Sequence, residues 1–554
     1  MGKHKNRIQK LKGKERSRQR RAREAAAAAV PPLPDDILRT IFLLNASDAD
    51  VPTRLRRKIT TTCLFVCRLW YNILMDHGQV WGRLLLLEAC VKKSITSHAV
   101  SETKKRAKGS NLWVEVDDTS LLESATNFEN LSPPLLFDDI RLFDNDRIEK
   151  IVIKYGNSFG LFDIPVRFFE PKSKRKLRVL KSLSFVLPAE SYLPCRWYKE
   201  TIFNVTPLPP LNDSPTPALC HFACNFLPSQ LWPTNILDLS ITPYVGASII
   251  TLSETLTTLR MMHRLERLSI EHTFKPECSS ALRDLPCLAL PNLKEADLKC
   301  DYDALMHLCS RIDPTKEMAV VAVVPGYKKH EYPRREMIEI SRLCDILLSS
   351  SQGSLETSQG LECRMTEKTF SFRTFHLEAS GLKSSTTSFS LSRRTGLKRK
   401  PYTSLSIPSF RKYSYVRLSI PDKQFRRDRN MPFIIDSFSG ATTLEINKST
   451  LFSLLVDHDN LLDFRSGSDD AFVSGLFPKL RTVYLRPTSS WKMKKDEERA
   501  TFQAFGKFLE RRQTYGLQNV TEIFVGTSEA KPIGEVIKAL EGVEDVKVIE
   551  DDAI

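Results

Sequence analysis

A six-residue pattern of apolar positions returns along much of the chain. Each copy reads apolar-x-x-apolar-x-apolar, so that alternate apolar residues fall on one side of an extended segment. The clearest copies are residues 148–153, 180–185, 236–241 and 265–270. Looser copies are residues 293–298, 318–323, 415–420, 480–485 and 520–525. The pattern predicts nine short strands, each with one buried face.

The spacing of these copies indicates a repeat. The first four start 32, 56 and 29 residues apart, and the fifth starts 28 residues later. Residues 253–264 and 303–312, which lie between copies, have the apolar spacing of helices. One strand and one helix per unit of about 28 residues favours a curved α/β solenoid, and a general α/β core is the alternative. Residues 543–554 are predicted to form a last edge strand with an acidic tail.

The strand pattern fades in residues 346–410. This segment is rich in Ser, Thr and Lys, a composition typical of connecting segments. Residues 369–380 nevertheless alternate between apolar and polar positions like a pair of strands. We interpret most of residues 346–410 as a low-complexity insertion or loop.

Near the N-terminus the apolar spacing becomes that of a helix. The first helix is predicted to place four apolar side chains on one face: Ile37, Leu38, Ile41 and Phe42. Asp35 and Asp36 are expected to cap its N-terminus. A helix of two turns is too short to be stable alone, so its apolar face must pack against something.

A second, longer amphipathic helix is predicted within residues 53–84. Its apolar positions recur at spacings of three and four: Leu55, Ile59, Cys63, Val66, Cys67, Trp70 and Leu74. Trp81 follows after a break that contains Gly78.

Together these two helices resemble an F-box, a motif of some forty to fifty residues. The segments "LPDDILRTIF", "VCRLWYNIL" and "VW" match its order and residue types. The matching residues are Leu33, Pro34, Asp36, Ile37, Leu38, Ile41, Phe42, Val66, Cys67, Arg68, Trp70 and Trp81. The linker from about Asn45 to Lys58 is several residues longer than in compact F-boxes. The resemblance covers about a tenth of the chain.

The resemblance implies binding to the Skp-type adaptor of SCF ubiquitin ligases and, through it, to a cullin. The residues it implies for adaptor contact are Leu33, Pro34, Ile37, Leu38, Ile41, Phe42, Val66, Cys67 and Arg68. Trp70, Leu74 and Trp81 are expected to hold the helices together instead. An F-box followed by irregular leucine-rich-like repeats is similar to a large group of fungal F-box proteins.

Positive charge is concentrated at the N-terminus. Residues 1–24 contain eleven Lys or Arg and two Glu, which is +9 of the chain's net +16. Residues 1–30 are predicted to be a disordered basic tail or at most a solitary helix. Three roles are open for it: solubilisation, nuclear import, and non-specific contact with nucleic acid. Dense lysines, together with Glu15 and Glu24, argue against a mitochondrial transit peptide.

Common catalytic and metal-binding motifs are absent from the sequence. The chain lacks G-x-G, the phosphate-binding P-loop, H-E-x-x-H and G-x-S-x-G, and none of its twelve cysteines forms C-x-x-C. Cys220–Cys224, "CHFAC", has two thiols and His221, and we favour a buried strand there over a metal site. We expect no cofactor, no metal and no catalytic residues.

These observations predict five segments. They are a basic tail (1–30), an F-box (31–90), leucine-rich-repeat-like regions (91–345 and 411–554) and the intervening insertion (346–410). The expected function is that of a substrate receptor in an SCF-type ligase, in the nucleus or cytoplasm and without membrane association. The first alternative is a nuclear or nucleolar scaffold that binds RNA through its tail, and the second is an enzyme with an unrecognised site.

Overall fold

The fold is mixed α/β, and seventeen of its strands belong to a large open sheet. The computed structural model describes residues 33–88, 93–117, 145–154, 178–186, 218–224, 235–241, 251–272, 274, 287–313, 318–327, 333–350, 359–365, 369–378, 381–393, 407–420, 437–447, 449–451, 454–455, 477–486, 495–514, 516–526, 538, 543 and 546–551. The chain divides into two compact units, residues 1–161 and residues 162–554.

Unit 1 combines a group of helices with three parallel strands. Its helices are α1 (Asp35–Ser47), α2 (Thr53–Cys63), α3 (Arg68–Asp76), α4 (Gly78–Gly82) and α5 (Lys93–Ala107). Its strands are β1 (Leu85–Glu88), β2 (Leu112–Asp117) and β3 (Ile148–Lys154). Strand β2 pairs in parallel with β1 and with β3.

The prediction of one continuous helix through residues 53–74 is wrong, because the chain turns at residues 64–67 between α2 and α3. Three consecutive threonines lie in the last turn of α2, before Cys63, and the hydroxyls of Thr60, Thr61 and Thr62 all bond to carbonyls four residues earlier, each at 2.9 Å. Such bonds compete with regular helix geometry and favour a bend. Cys67 is extended, with φ of −161°, and precedes the first turn of α3.

The expected side-chain cap of α1 is also wrong. Pro34 occupies the N-cap position, so the cap lacks a side-chain hydrogen bond. Asp35 and Asp36 lie in the first turn, where the helix dipole favours negative charge.

Unit 2 contains sixteen of the described strands and four of the described helices. The strands are β4 (Ser182–Val186), β5 (His221–Cys224), β6 (Asp238–Ile241), β7 (Arg267–His272), β8 (Leu288–Ala289), β9 (Glu295–Cys300), β10 (Ile312–Asp313), β11 (Ala319–Tyr327), β12 (Gln359–Met365), β13 (Thr369–Glu378), β14 (Gly381–Arg393), β15 (Tyr415–Ser419), β16 (Thr443–Asn447), β17 (Thr482–Arg486), β18 (Glu522–Gly526) and β19 (Lys547–Asp551). The helices are α6 (Leu252–Arg260), α7 (Tyr302–Arg311), α8 (Pro333–Ser350) and α9 (Lys495–Thr514).

The strand pairings give the main sheet of unit 2 the spatial order β4-β5-β6-β7-β9-β11-β14-β13-β12-β15-β16-β17-β18-β19. Every pair is parallel except the two made by β13, which runs antiparallel to both neighbours. Strands β8 and β10 form a separate parallel pair. The sheet is therefore a parallel array interrupted by one three-stranded meander.

All nine six-residue copies coincide with strands, so the prediction of strands is confirmed. They correspond to β3, β4, β6, β7, β9, β11, β15, β17 and β18. The interval of 56 residues is double because it contains β5, which the pattern missed. The helices predicted between copies are α6 and α7. Membership of these strands in the leucine-rich-repeat class stays a prediction.

Residues 346–410, expected to be mostly an insertion or loop, are wrongly predicted over much of their length. The meander β12-β13-β14 occupies residues 359–393 and is hydrogen-bonded into the main sheet through β11 and β15. Residues 369–380, which alternate like a strand pair, contain the single strand β13. The meander is rich in serine and threonine, and β13 contributes three buried residues to it: Phe370, Phe372 and Phe375.

The two faces of this sheet differ in burial. One register row is apolar and buried: it includes Leu183, Phe222, Leu239, Leu268, Val416, Leu444, Val483 and Ile523. Helix α7 packs against β9 and β11. The opposite face, which we call the open face, carries the adjacent row Ser184, Ala223, Ser240, Ser269, Asp297, Val321, Ser388, Arg373, Glu362, Arg417, Glu445, Tyr484, Phe524 and Ile549.

Candidate functional site

The helices of unit 1 share a small apolar core. Its buried members are Leu38, Phe42, Ala46, Ile73, Leu74, Val80 and Leu84. The ring of Trp70 packs edge-on against Phe42, with centroids 5.2 Å apart at an interplanar angle of 74°. Trp81 is buried, and its Nε1 donates to the carbonyl of Leu74 at 2.7 Å. Trp70, Leu74 and Trp81 thus lie in or against the interior of this unit.

Helix α1 divides its apolar residues between inside and outside. Leu38 and Phe42 are buried in the core, whereas Ile37 and Ile41 are 44% and 45% exposed. Residues one apart on a helix point about 100° away from each other, so both pairs cannot share one narrow face. The prediction of a single apolar face is wrong, and Leu38 and Phe42 are not available for partner contact in the folded chain.

Helix α2 is inverted with respect to the usual arrangement of a surface helix. Its buried residues are Thr53, Arg56 and Thr60, while Leu55 and Ile59 are exposed. A surface helix normally turns its apolar side to the core. Of the apolar positions that the sequence indicated on α2, Leu55 and Ile59 point outward, whereas Cys63 packs against the core.

A buried polar network holds α2 in this orientation. The Arg56 guanidinium donates to the carbonyl of Ala46 and to the Thr53 hydroxyl, which in turn donates to Glu115 on β2. Lys154 on β3 reaches the same Glu115 carboxylate at 2.8 Å. Burial lowers the pKa of Arg56, against the opposing effect of Glu115. Rotating the apolar side of α2 inward would strand these polar groups without partners, at a cost of several kcal/mol.

Exposed large apolar side chains are concentrated in this segment. Among the residues that the structure describes, ten of the twelve exposed large hydrophobic side chains lie between residues 33 and 71. We call this set the outer apolar surface: Leu33, Ile37, Ile41, Leu44, Leu55, Ile59, Phe65, Val66, Leu69 and Tyr71. Ile37, Ile41 and Leu44 are spaced to form one stripe along α1. Phe65, in the turn between α2 and α3, is 87% exposed.

The residues proposed for adaptor contact from the sequence fall into two groups. Seven are exposed: Leu33, Pro34, Ile37, Ile41, Val66, Cys67 and Arg68. Leu38 and Phe42 support the surface from inside.

Sequence reasoning missed Leu44, Phe65, Leu69 and Tyr71 as surface residues. A usable signal was present, since residues 41–44 are four consecutive apolar residues, more than one side of a helix can bury.

The structure bears on the basic tail, on the "CHFAC" stretch and on membrane-spanning helices to different extents. The basic tail and residues 1–32 lie outside the described residues. His221 of "CHFAC" lies on β5 beside Asp238, with Nδ1 and Oδ2 3.4 Å apart, and the described residues contain no group of three side chains able to hold a metal ion. Within that same part of the chain, we find no helix with the length and apolar character needed to cross a bilayer.

No family model and no curated protein matches this chain. An assignment of function therefore depends on the residues and contacts described above.

Proposed function

We propose that this protein is a substrate-receptor subunit of an SCF-type ubiquitin ligase. The helices of unit 1 would bind the Skp-type adaptor as an F-box, and the strand array of unit 2, as irregular leucine-rich repeats, would hold a target protein. The chain itself would carry out no chemistry. Its contribution would be to raise the local concentration of target lysines near the catalytic partners.

The outer apolar surface is the observation that supports this proposal. Large apolar side chains exposed together in one segment mark candidate interaction sites. On α2, Leu55 and Ile59 are held outward by the orientation of the helix, whose buried side is paired through Arg56 and Glu115. Exposure of Leu55 and Ile59 to water is unfavourable, and a partner that buried these two side chains would offset that cost.

The expected mode is insertion of helix side chains into an apolar groove. Ile37, Ile41 and Leu44 supply the regularly spaced anchors of such a contact, and Phe65 supplies a large aromatic one. Leu38 and Phe42 would act indirectly, by fixing the position of α1 on α3.

The test is calorimetric titration of the full chain with purified Skp-type adaptor. We expect the wild type to bind, and Ile37→Asp/Ile41→Asp to weaken binding more than a hundredfold, since burying each carboxylate in an apolar groove costs about 2 kcal/mol or more. Gln79→Glu, at an exposed position of α4 that is not part of the outer apolar surface, is the control for added charge. Circular dichroism of both variants should match the wild type. A folded wild type that does not bind, or a double variant that binds as tightly, would contradict the proposal.

A scaffold that binds RNA through residues 1–24 is a second candidate, favoured by the +9 charge of that segment. Its test is retention of a random RNA by the full chain and by residues 25–554, at two salt concentrations. We expect RNA binding, if it is the function, to need the tail and to weaken steeply with salt. Adaptor binding would be unaffected by removing the tail.

A further inference from the structure

The open face of unit 2 changes character from one end to the other. At β4–β7 its central row consists of small residues: Ser184, Ala223, Ser240 and Ser269. At β12, β13 and β15–β18 the same row carries charged and aromatic residues. Its charged members, together with Tyr415 and Arg486, which lie two positions along the same face of β15 and β17, form a set that we call the arginine cluster: Arg373, Arg417, Arg486, Glu362, Glu445 and Tyr415.

Both carboxylates of the arginine cluster are engaged within it. Glu445 is almost fully buried, and it pairs with Arg417 at 2.9 Å, with Arg486, and with the Tyr415 hydroxyl. Glu362 pairs with Arg373 and lies 3.8 Å from Arg417. The two acids therefore orient the three guanidinium groups.

The guanidinium groups keep hydrogen-bonding capacity after these contacts. An arginine has five N–H donors and no acceptor, and Nη2 of Arg417 is buried with no hydrogen-bond partner among the residues that the structure describes. The side chains of Arg486 and Arg373 are 40% and 53% exposed, whereas that of Arg417 is 13% exposed. The unused capacity is made of donors, so it fits a ligand that offers acceptor oxygens.

An aromatic ledge borders the arginine cluster on the side of β17 and β18. The rings of Tyr484 and Phe524 stack with centroids 4.5 Å apart at an angle of 9°. The ring centroid of Tyr415 lies 6.3 Å from that of Tyr484, so Tyr415 connects the aromatic ledge to the arginine cluster. Partly exposed aromatic rings next to arginine are typical of the energetic centre of a protein interface.

We propose that this face binds a short extended segment of a protein that carries one acidic group, a carboxylate or a phosphate, beside an apolar side chain. The acidic group would accept from Arg486, which is 40% exposed, and the apolar side chain would lie on Tyr484 and Phe524. Identification of that protein as a ligase target rests on the proposed function, whereas binding of the segment does not.

The charge of the cluster favours a peptide over a nucleic acid. Three arginines against two glutamates leave one surplus positive charge. A single acidic side chain matches that surplus. A nucleic acid brings a phosphate with every nucleotide, and its neighbouring phosphates would face Glu362.

The test is selection of displayed random twelve-residue peptides on the full chain. We expect enrichment of sequences with Asp or Glu next to an aromatic or large aliphatic residue. A synthetic copy of the enriched peptide is then compared with versions in which the acid is replaced by phosphoserine or by Gln. The Gln version should bind about tenfold more weakly, in line with the loss of a charge-assisted hydrogen bond, and the tighter of the two acidic versions identifies the source of the anion.

Three variants locate the binding face. Arg486→Gln and Phe524→Leu should each weaken the peptide at least fivefold. Arg267→Gln, which changes another arginine paired to an acid on the same face but far along the sheet, should leave affinity unchanged. Enrichment without an acid, no enrichment, or equal binding by Arg486→Gln would overturn the proposal. The proposal would also be overturned if the wild-type chain bound a random RNA and the Arg486→Gln variant did not. The same variants should bind the Skp-type adaptor as tightly as the wild type does. A loss of peptide binding can therefore be distinguished from a failure of the proposed adaptor binding.

Discussion

The helices of unit 1 and the strands of unit 2 use apolar residues in opposite ways. In β15–β18 every second residue is apolar and buried, and the residues between them on the open face are mostly polar, charged or aromatic. In α1 and α2 the apolar residues lie on both sides, and the buried side of α2 is polar. The buried apolar residues of these strands form part of the core of unit 2. The helices carry more apolar surface than their own core can cover.

This difference teaches where function is to be expected. A strand array whose pattern and burial agree explains its own stability. In the helical segment, by contrast, pattern and burial disagree, and a buried Arg56–Glu115 pair keeps them so; this is the segment for which we propose a partner.

Removing a core side chain from α1 should give the largest effect and would sharpen this comparison. Phe42→Ala is expected to cost unit 1 about 4 kcal/mol of unfolding free energy, because the cavity beside Trp70 cannot close fully. Ile41→Ala, one residue earlier but exposed, should cost less than about 0.5 kcal/mol. Urea unfolding followed by tryptophan fluorescence measures both. Equal losses would mean that α1 does not separate an inner from an outer side.

In unit 2 the corresponding test is the removal of a buried charge. Glu445→Ala should destabilise the sheet by about 3 kcal/mol, since Arg417 and Arg486 lose their shared partner in a poorly hydrated site. Glu266→Ala removes a carboxylate from an exposed pair with Lys294 at 3.0 Å and should cost less than about 1 kcal/mol. Thermal unfolding of the two variants is the measurement. A mild effect of Glu445→Ala would show that the arginine cluster is not held by this carboxylate.

The smallest expected effect is a pH dependence confined to unit 1. Burial, followed by the positive charge of Arg39, lowers the pKa of His77 below its ordinary value of 6.5. The folded state therefore prefers the neutral ring, and the unfolded state binds more protons just below pH 6.5. Stability contributed by this group is present above pH 6.5 and is lost as the pH falls through that value. His77→Gln should flatten the difference between unfolding curves at pH 7.5 and pH 5.5, and an unchanged difference would rule this group out.

Much of the strand array was predictable from the sequence because its signal is local. A strand with one buried face repeats every two residues, and all nine copies of the pattern are strands. The six-residue pattern did not include β5, a run of four residues around the buried Phe222, but the strand favoured for Cys220–Cys224 is confirmed. Strands β12 and β14 were missed because their many polar residues are stabilised by neighbouring strands that no local window contains.

Less of the candidate site was predictable. The apolar positions of α1 and α2 are evident in the sequence, but periodicity does not distinguish a residue that packs inward from one that packs against a partner. The orientation of α2 is decided by Glu115, fifty-nine residues after Arg56, and such a pairing has no local signature. The break at residues 64–67 likewise turns Val66 and Cys67 outward.

Hydrogen–deuterium exchange of the full chain, with and without a purified Skp-type adaptor, tests the central claim most directly. The account predicts that the adaptor slows exchange in α1, in α2 and in residues 64–71, and leaves β15–β18 unchanged. The adaptor would thereby be located on the outer apolar surface. Protection confined to unit 2, or no protection at saturating adaptor, would contradict the account.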